Sequence, residues 1–346
     1  MNDYNKEIIE RVSRVFLADD LIERSKNLEC YYNGCRCKPI DSHSIQEALL
    51  KNTIGKSGHV YMTTVHSTAE NIRQNSDEMF SNVTTTKSGV FQGFCGDIGG
   101  YSHDSILFKS IEIRAEIEKT TIKHYAFLYA YRALIYQMWL ENILASKMND
   151  DSFTKAAENP VVDENILRQV INIASESMEL SEPLQKYNIL KNYFEKYIKE
   201  NGEICGDISD SFNIDVIELN DWKLEFAGIG AKFFPYARFP ICYGLIPSQY
   251  NKPNLFFWVS AKGDSFTHSF LESILSQNQT FSIGNLIALS GNIMLSEELF
   301  QNLKSSKTGE LDRLKEFIAS DRKGKLYDHY DLIKNQGFRL FREFIN

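Results

Sequence analysis

No stretch of this chain stays apolar for the roughly 18–20 residues that a membrane-crossing helix needs, and the opening residues Met1 to Glu7 lack a basic-then-apolar leader pattern. A cytoplasmic protein without a membrane contact is therefore expected. Lysine and arginine form no conspicuous run, and 38 basic against 46 acidic residues leave a net charge of -8. That balance excludes a protein that coats nucleic acid through its overall field, so any DNA or RNA contact has to be local. Proline is scarce at 7 and glycine modest at 19, and neither a repeat nor a low-complexity tract is present, so an ordinary folded chain is expected. Walker-type, Gly-x-Ser-x-Gly and His-Glu-x-x-His patterns are missing, which removes the common nucleotide-loop, serine-hydrolase and zincin readings.

Cysteine is also sparse, with 6 in 346 residues, but its distribution is uneven. Cys30, Cys35 and Cys37 cluster in Cys30-Tyr-Tyr-Asn-Gly-Cys35-Arg-Cys37, His43 follows, and Phe94-Cys95 and His103-Asp104 answer from a distance. Cys205 and Cys242 stand alone, as inert residues in small apolar niches do. Thiols in a reducing compartment are ligands or free thiols more often than disulfides, and a tetrahedral zinc ion needs four soft or borderline ligands. Cys30, Cys35, Cys95 and His103 can supply them, with Cys37 as an alternative to Cys35. The Asn33-Gly34 turn dipeptide sits inside the Cys-x4-Cys loop, and the glycines of Gly96-Asp-Ile-Gly-Gly-Tyr-Ser102 relax the second loop. The competing reading is of buried thiols beside a hydrogen-bonded histidine. His43, flanked by Ser42 and Ser44, is either a structural residue or a general base. Asp41 or Asp104 would help to hold a cation near it.

Periodicity places an amphipathic helix over Tyr4 to Ser25, a short helix over Ser44 to Asn52 and a strand over Gly58 to Met62. An exposed hairpin or loop is expected over Thr63 to Ser88, a strand over Val90 to Cys95, and a long buried helix over Thr121 to Ser146. Helices follow near Asp163 to Met178 and Leu184 to Glu200, and strands are expected over Ile214–Leu219, Lys223–Ala227, Phe239–Ile246 and Asn254–Ser260. Helices near Ser265–Ser276 and Ser296–Ser320 come next, and Leu340, Phe341, Phe344 and Ile345 are expected to dock on a core. Arg132, on the long helix, needs a carboxylate or phosphate because an unpaired buried charge is costly, and Glu112 is a candidate. Gly228-Ile-Gly230 precedes no helix-opening pattern and is discounted as a phosphate loop. His59 and His66 flank the polar stretch and are read as exposed.

The Cys-x4-Cys loop, His43 in its Ser-His-Ser-Ile-Gln context, and Cys95 with His103-Asp104 before a helix resemble the HNH endonucleases (ββα-metal, treble-clef). More narrowly they look like a group of uncharacterised bacterial proteins, some of which serve phage defence. The resemblance covers roughly residues 28–145 and continues weakly into Leu245-Ile-Pro, Phe256-Phe-Trp258 and Gly291 to Ser296. It implies a structural zinc ion, His43 as the water-activating base, Asp104 as the residue after the last zinc ligand that helps to place a catalytic magnesium or manganese, and a nucleic-acid substrate. The chain departs from the compact pattern in its long spacer from His43 to Cys95, its wide Cys95–His103 gap and the lack of a middle asparagine before Cys95.

The expectation is an α+β protein. Residues 1–148 form a zinc-knuckle, treble-clef-like module with a helical layer, 149–205 a helical connector, and 206–346 an α+β domain of short antiparallel strands that meets a trigger or partner protein. The function read here is a metal-dependent HNH-type nuclease. Its rivals are a non-enzymatic zinc-stabilised recognition or sensor protein and a hydrolase with Cys37 as nucleophile and His43 as base.

Overall fold

A long helix buried on all sides organises the fold. In α7 (Ile122–Ala145) every residue from Tyr125 to Trp139 is buried, as a helix apolar around its whole circumference requires. The computed structural model describes residues 3–26, 29–76, 78–96, 102–145, 184–220, 223–234, 237–277 and 279–322. The expected helix near Asp163 to Met178 and the docking residues Leu340 to Ile345 lie outside them.

Helix α1 (Asp3–Arg24) buries Ile9, Val12 and Phe16 at helical spacing. Its end is tied to α7, since the Arg24 guanidinium donates to Ile143 O at 2.5 Å and Trp139 Nε1 donates to Ser25 O at 2.9 Å. Strand β1 (Pro39–His43) leads to α2 (Glu47–Asn52), β2 (His59–Met62), α3 (Val65–Gln74), β3 (Ser81–Thr84) and β4 (Val90–Cys95). Three short helices, α4 (His103–Leu107), α5 (Lys109–Glu112) and α6 (Arg114–Ile117), then climb to α7, and α8 (Leu184–Glu195) packs beside it.

The remaining elements are β5 (Phe212–Leu219), β6 (Phe226–Lys232), β7 (Ile241–Ile246), β8 (Asn254–Ala261), α9 (Ser265–Gln277), α10 (Gln279–Ala288), β9 (Met294–Leu295), α11 (Glu297–Lys304) and α12 (Glu310–Arg322). Mixed helix and antiparallel sheet make this an α+β protein, as expected. Among the described residues, β1 and β4 form a two-stranded antiparallel sheet, and a seven-stranded sheet runs in the order β3-β2-β9-β6-β7-β8-β5. All its pairings are antiparallel. It draws β2 and β3 from residues expected in the amino-terminal module and its other five strands from residues expected in the carboxy-terminal domain. The two-residue β9 is the link, bridging Tyr61–Met62 and Phe226–Ala227.

The polar stretch from Thr63 to Ser88 is not the expected hairpin or loop. It holds α3 and β3, with Thr64 and Ser67 closing a reciprocal N-cap and Asn75 ending the helix at φ 54°. The expected strand at Lys223–Ala227 begins later and runs to Lys232, so Gly228 and Gly230 lie within β6. The expected helix from Ser296 to Ser320 is two helices, parted near Gly309 at φ 64°. No described helix is long and apolar enough to cross a membrane.

Candidate metal centre

The Cys-x4-Cys loop turns where its sequence requires. Gly34 takes φ 77°, a left-handed value that glycine accepts without steric cost, while Cys35 N donates to Tyr32 O at 3.1 Å. Cys30 N donates to Cys37 O at 2.9 Å, and Tyr31 N donates to Gly93 O at 2.9 Å, which fastens the loop to β4. In the β1–β4 hairpin Pro39 faces Cys95, so the fourth strand delivers its last residue beside the loop. Ser102 then caps α4: its Oγ accepts from Ser105 N at 3.3 Å and donates to Cys95 O at 3.2 Å. That double role seats His103 against Cys95, although residues 97–101 of the connecting loop lie outside the described residues.

Cys30, Cys35, Cys95 and His103 therefore converge, with their donor atoms all within 4.8 Å of one another. His103 Nδ1 is 3.6 Å from Cys30 Sγ and 3.2 Å from Cys95 Sγ, and Cys35 Sγ is 3.9 Å from Cys95 Sγ. A zinc tetrahedron with ordinary bond lengths has edges of about 3.8 Å between sulfurs and about 3.6 Å from sulfur to nitrogen. These three separations are close to such edges, and all of the group's thiols are free of disulfides. Cys30, Cys95 and His103 are buried, whereas Cys37 is exposed.

Burial and the neighbouring thiols set the electrostatics here. Burial pushes the Cys30 thiol well above its usual range. Burial also pushes on Cys35, but hydrogen bonds from Cys37, Cys95 and Cys30 outweigh it and lower that thiol. The exposed Cys37 is raised by its hydrogen bond and charge interaction with Cys35. Burial lowers His103, against the pull of Glu200, and so favours the neutral imidazole that ligates metal. The Tyr32 ring lies 4.5 Å from the imidazole and closes one side. This Cys3His group is a set of donors that could hold a structural ion such as zinc.

The other expected site residues lie elsewhere. His43 ends β1 opposite Val90, half-buried, with Nε2 3.2 Å from Thr86 O. A carbonyl can only accept, so Nε2 carries the proton in the neutral ring and Nδ1 keeps its lone pair. Asp104 follows His103 on α4, and its Oδ1 is buried without a hydrogen-bond partner among the described residues. Its charge acts on Arg132. Among the described residues no hydrogen bond or ion pair joins Asp104 to His43. Asp41, His59 and His66 are exposed. Arg132 is 1% exposed and pairs with Glu112 through Nη2, its guanidinium 3.8 Å above the Phe108 ring.

Two polar groupings went unread in the sequence. Gln249 Nε2 donates to Gln46 Oε1 at 2.8 Å, and Tyr125 OH donates to Gln249 Oε1 at 3.4 Å, across more than a hundred residues in each case. In the second, His268 Nε2 lies 3.3 Å from Asp215 Oδ2 and 3.5 Å from Glu272 Oε1, and Ser260 Oγ lies 3.5 Å from Nδ1. Only the helical i,i+4 spacing of His268 and Glu272 signalled this cluster. Ser260 is 2% exposed, so the arrangement braces α9 against β5 and β8 and offers no open nucleophile.

Comparison of the chain with protein-family models, with curated proteins and with solved structures gives no match.

Proposed function

We propose that this chain is an HNH-type, metal-dependent nuclease whose Cys3His group holds zinc for structure and whose His43 edge performs hydrolysis. Four protein donors close a tetrahedral site, whereas catalytic zinc keeps a position open for water. The zinc is thus assigned to the fold, and the chemistry goes to other residues. A knuckle, the paired strands β1 and β4 and a helix that opens with a ligand support a treble-clef-like reading, with α2, β2, α3 and β3 inserted between the two strands. The observation that carries the reading is His43: it stands at the end of β1 with Nε2 turned to Thr86 O, so Nδ1 is available to take a proton from water. A magnesium or manganese ion would supply Lewis-acid polarisation of the phosphodiester, and Asp104 is the carboxylate assigned to help place it. A role in bacterial defence against phage enters through the resemblance alone.

The second reading is a zinc-stabilised recognition or sensor protein without chemistry. It is favoured by Arg132, whose charge faces both Glu112 and Asp104 and competes with a second cation at those carboxylates. Protein purified without added metal should carry about one zinc per chain and lose it in Cys30→Ser. His43→Ala should keep its zinc and its melting temperature while losing magnesium- or manganese-dependent cleavage of DNA or RNA. Cleavage that survives His43→Ala would remove His43 from the mechanism. Wild-type protein that is zinc-loaded and inert on both nucleic acids would leave the recognition reading.

A further inference from the structure

The loop joining β7 to β8 displays an aromatic ring in an unusual way. Tyr250 is 53% exposed, more than any other exposed large hydrophobic side chain among the described residues. Its φ is 51°, and Lys252 N donates to Gln249 O at 3.0 Å to close a tight turn around it. Positive φ is the region that glycine occupies freely and that a bulky residue avoids. A backbone held there against its side-chain preference is an observation from which a functional hypothesis can start. The Arg114 guanidinium lies 5.3 Å from the ring centroid, its side chain 68% exposed and its Nε 3.4 Å from Glu118 Oε1.

The loop is braced on the segment that carries His43. Gln249 Nε2 donates to Gln46 Oε1 at 2.8 Å, and Gln46 Nε2 donates to Glu112 O at 3.4 Å. Gln46 lies just past the end of β1, in the same Ser-His-Ser-Ile-Gln run as His43. On the other side, Lys252 Nζ donates to Thr120 O at 2.6 Å. The ring is consequently presented by a fixed platform.

An exposed aromatic ring with a planar cation over one face suits a ligand that stacks a flat π-face on the other and carries a nearby negative charge. A base stacked on tyrosine, with its phosphate beside arginine, satisfies both groups. An acidic peptide would engage the arginine and leave the ring unused. The net charge of -8 offers no general attraction to a polyanion, so nucleic acid needs a local anchor of this kind. We infer that Tyr250 and Arg114 form a base-stacking subsite for single-stranded nucleic acid beside the His43 segment. The subsite rests on the nuclease reading for its purpose, but its binding can be measured apart from cleavage.

The test uses the full zinc-loaded chain carrying His43→Ala, so that the probe survives, with fluorescein-labelled oligo-dT and oligo-U followed by anisotropy. Tyr250→Gly should weaken binding about tenfold or more, the loss expected for one stacked base, and Tyr250→Trp should retain it. Tyr250→Gly should melt at or above its parent, because glycine suits the backbone there, so weaker binding cannot be assigned to misfolding. Arg114→Ala should also weaken binding. Parent protein that binds neither oligonucleotide, or a Tyr250→Gly variant that binds like its parent, overturns the subsite. If the subsite fails while wild type still cleaves and His43→Ala does not, the nuclease reading stands alone. Tyr250-dependent binding without any cleavage would leave the subsite standing and remove the nuclease.

Discussion

Arg132 is the largest fully buried side chain among the described residues, and it carries a charge. It is fully buried in an otherwise apolar stretch of α7, and its Nε and Nη1 have no hydrogen-bond partner among the described residues. Glu112 supplies the ion pair and Phe108 the stacked face. Breaking a buried pair from one side costs about 3–5 kcal/mol, because the partner charge stays buried and uncompensated. Glu112 retains 23% side-chain exposure and Asp104 adds a second carboxylate, so Glu112→Ala should fall near the lower end of that range. Arg132→Met removes the fully buried charge and leaves Glu112 and Asp104, both only half-buried, so it should cost less. Denaturant unfolding of the two variants decides the matter, and equal losses would refute the asymmetry. The need for this partner was legible in the sequence, since an arginine on an apolar helix must be paired. The convergence of Cys30, Cys35, Cys95 and His103 was legible for a similar reason, as clustered thiols and a later Cys and His imply one polyvalent centre. The separation of His43 from that centre was not legible. Strand register decides it: Pro39 faces Cys95 and His43 faces Val90, so His43 lies about 13 Å along the strand at the usual rise.

At the scale of elements, the misreadings share a cause. Helix α3 buries a single small residue, Ala69, and its facing partner is α1 rather than the deep core. A helix that needs so little apolar surface gives a weak periodic signal, and its polar caps resemble loop sequence. Strand β9 has two residues and is defined by its neighbours on both sides, which local pattern cannot supply. The glycines of β6 fall just past the strand expected at Lys223–Ala227. They carry no phosphate-loop role because they lie in a buried strand that passes tightly under the turn after α10. A Cβ at Gly230 would stand 2.8 Å from Ser290 Cα and 2.9 Å from Ser290 O, both backbone atoms with little freedom to move. Gly230→Ala should therefore destabilise by about 1–3 kcal/mol through overpacking. Gly263→Ala is the control, since its Cβ would meet nothing within 4 Å. Thermal melts that rank the two equally would show that Ser290 gives way, and the close approach would lose its significance.

For the whole molecule the question is how far the metal centre is felt. Asn33, in the turn of the knuckle, accepts from Lys191 Nζ at 2.9 Å and donates to Asn192 Oδ1 at 2.7 Å, which joins the knuckle to α8. Lys191 in turn pairs with Glu195 at 3.0 Å, and Tyr131 OH donates to Glu195 at 2.6 Å, which brings in α7. Helix α7 packs against β4 on one side and β5 to β8 on the other, and the long sheet takes strands from both halves of the chain. A perturbation at the knuckle thus has a packed, hydrogen-bonded route into the main core. An ion held at about a thousand times its dissociation constant adds about 4 kcal/mol to stability, and each kcal/mol moves the melting temperature by about 1–2 °C in a chain of 346 residues. Stripping the metal with a chelator should lower the melting temperature by roughly 4–8 °C while keeping one transition. The stripped protein should also become acid-sensitive. Burial holds His103 below its ordinary value of 6.5, so the unfolded chain binds the extra proton as pH falls. Its stability is intact above about 6.5 and is lost as pH falls from there through the lowered folded value. Calorimetry with and without chelator, at pH 8 and pH 5.5, measures both effects. Two separate transitions, with only the smaller one responding to chelator, would mean that the knuckle folds independently of the seven-stranded sheet, and the route through Asn33 and α8 would carry no energy.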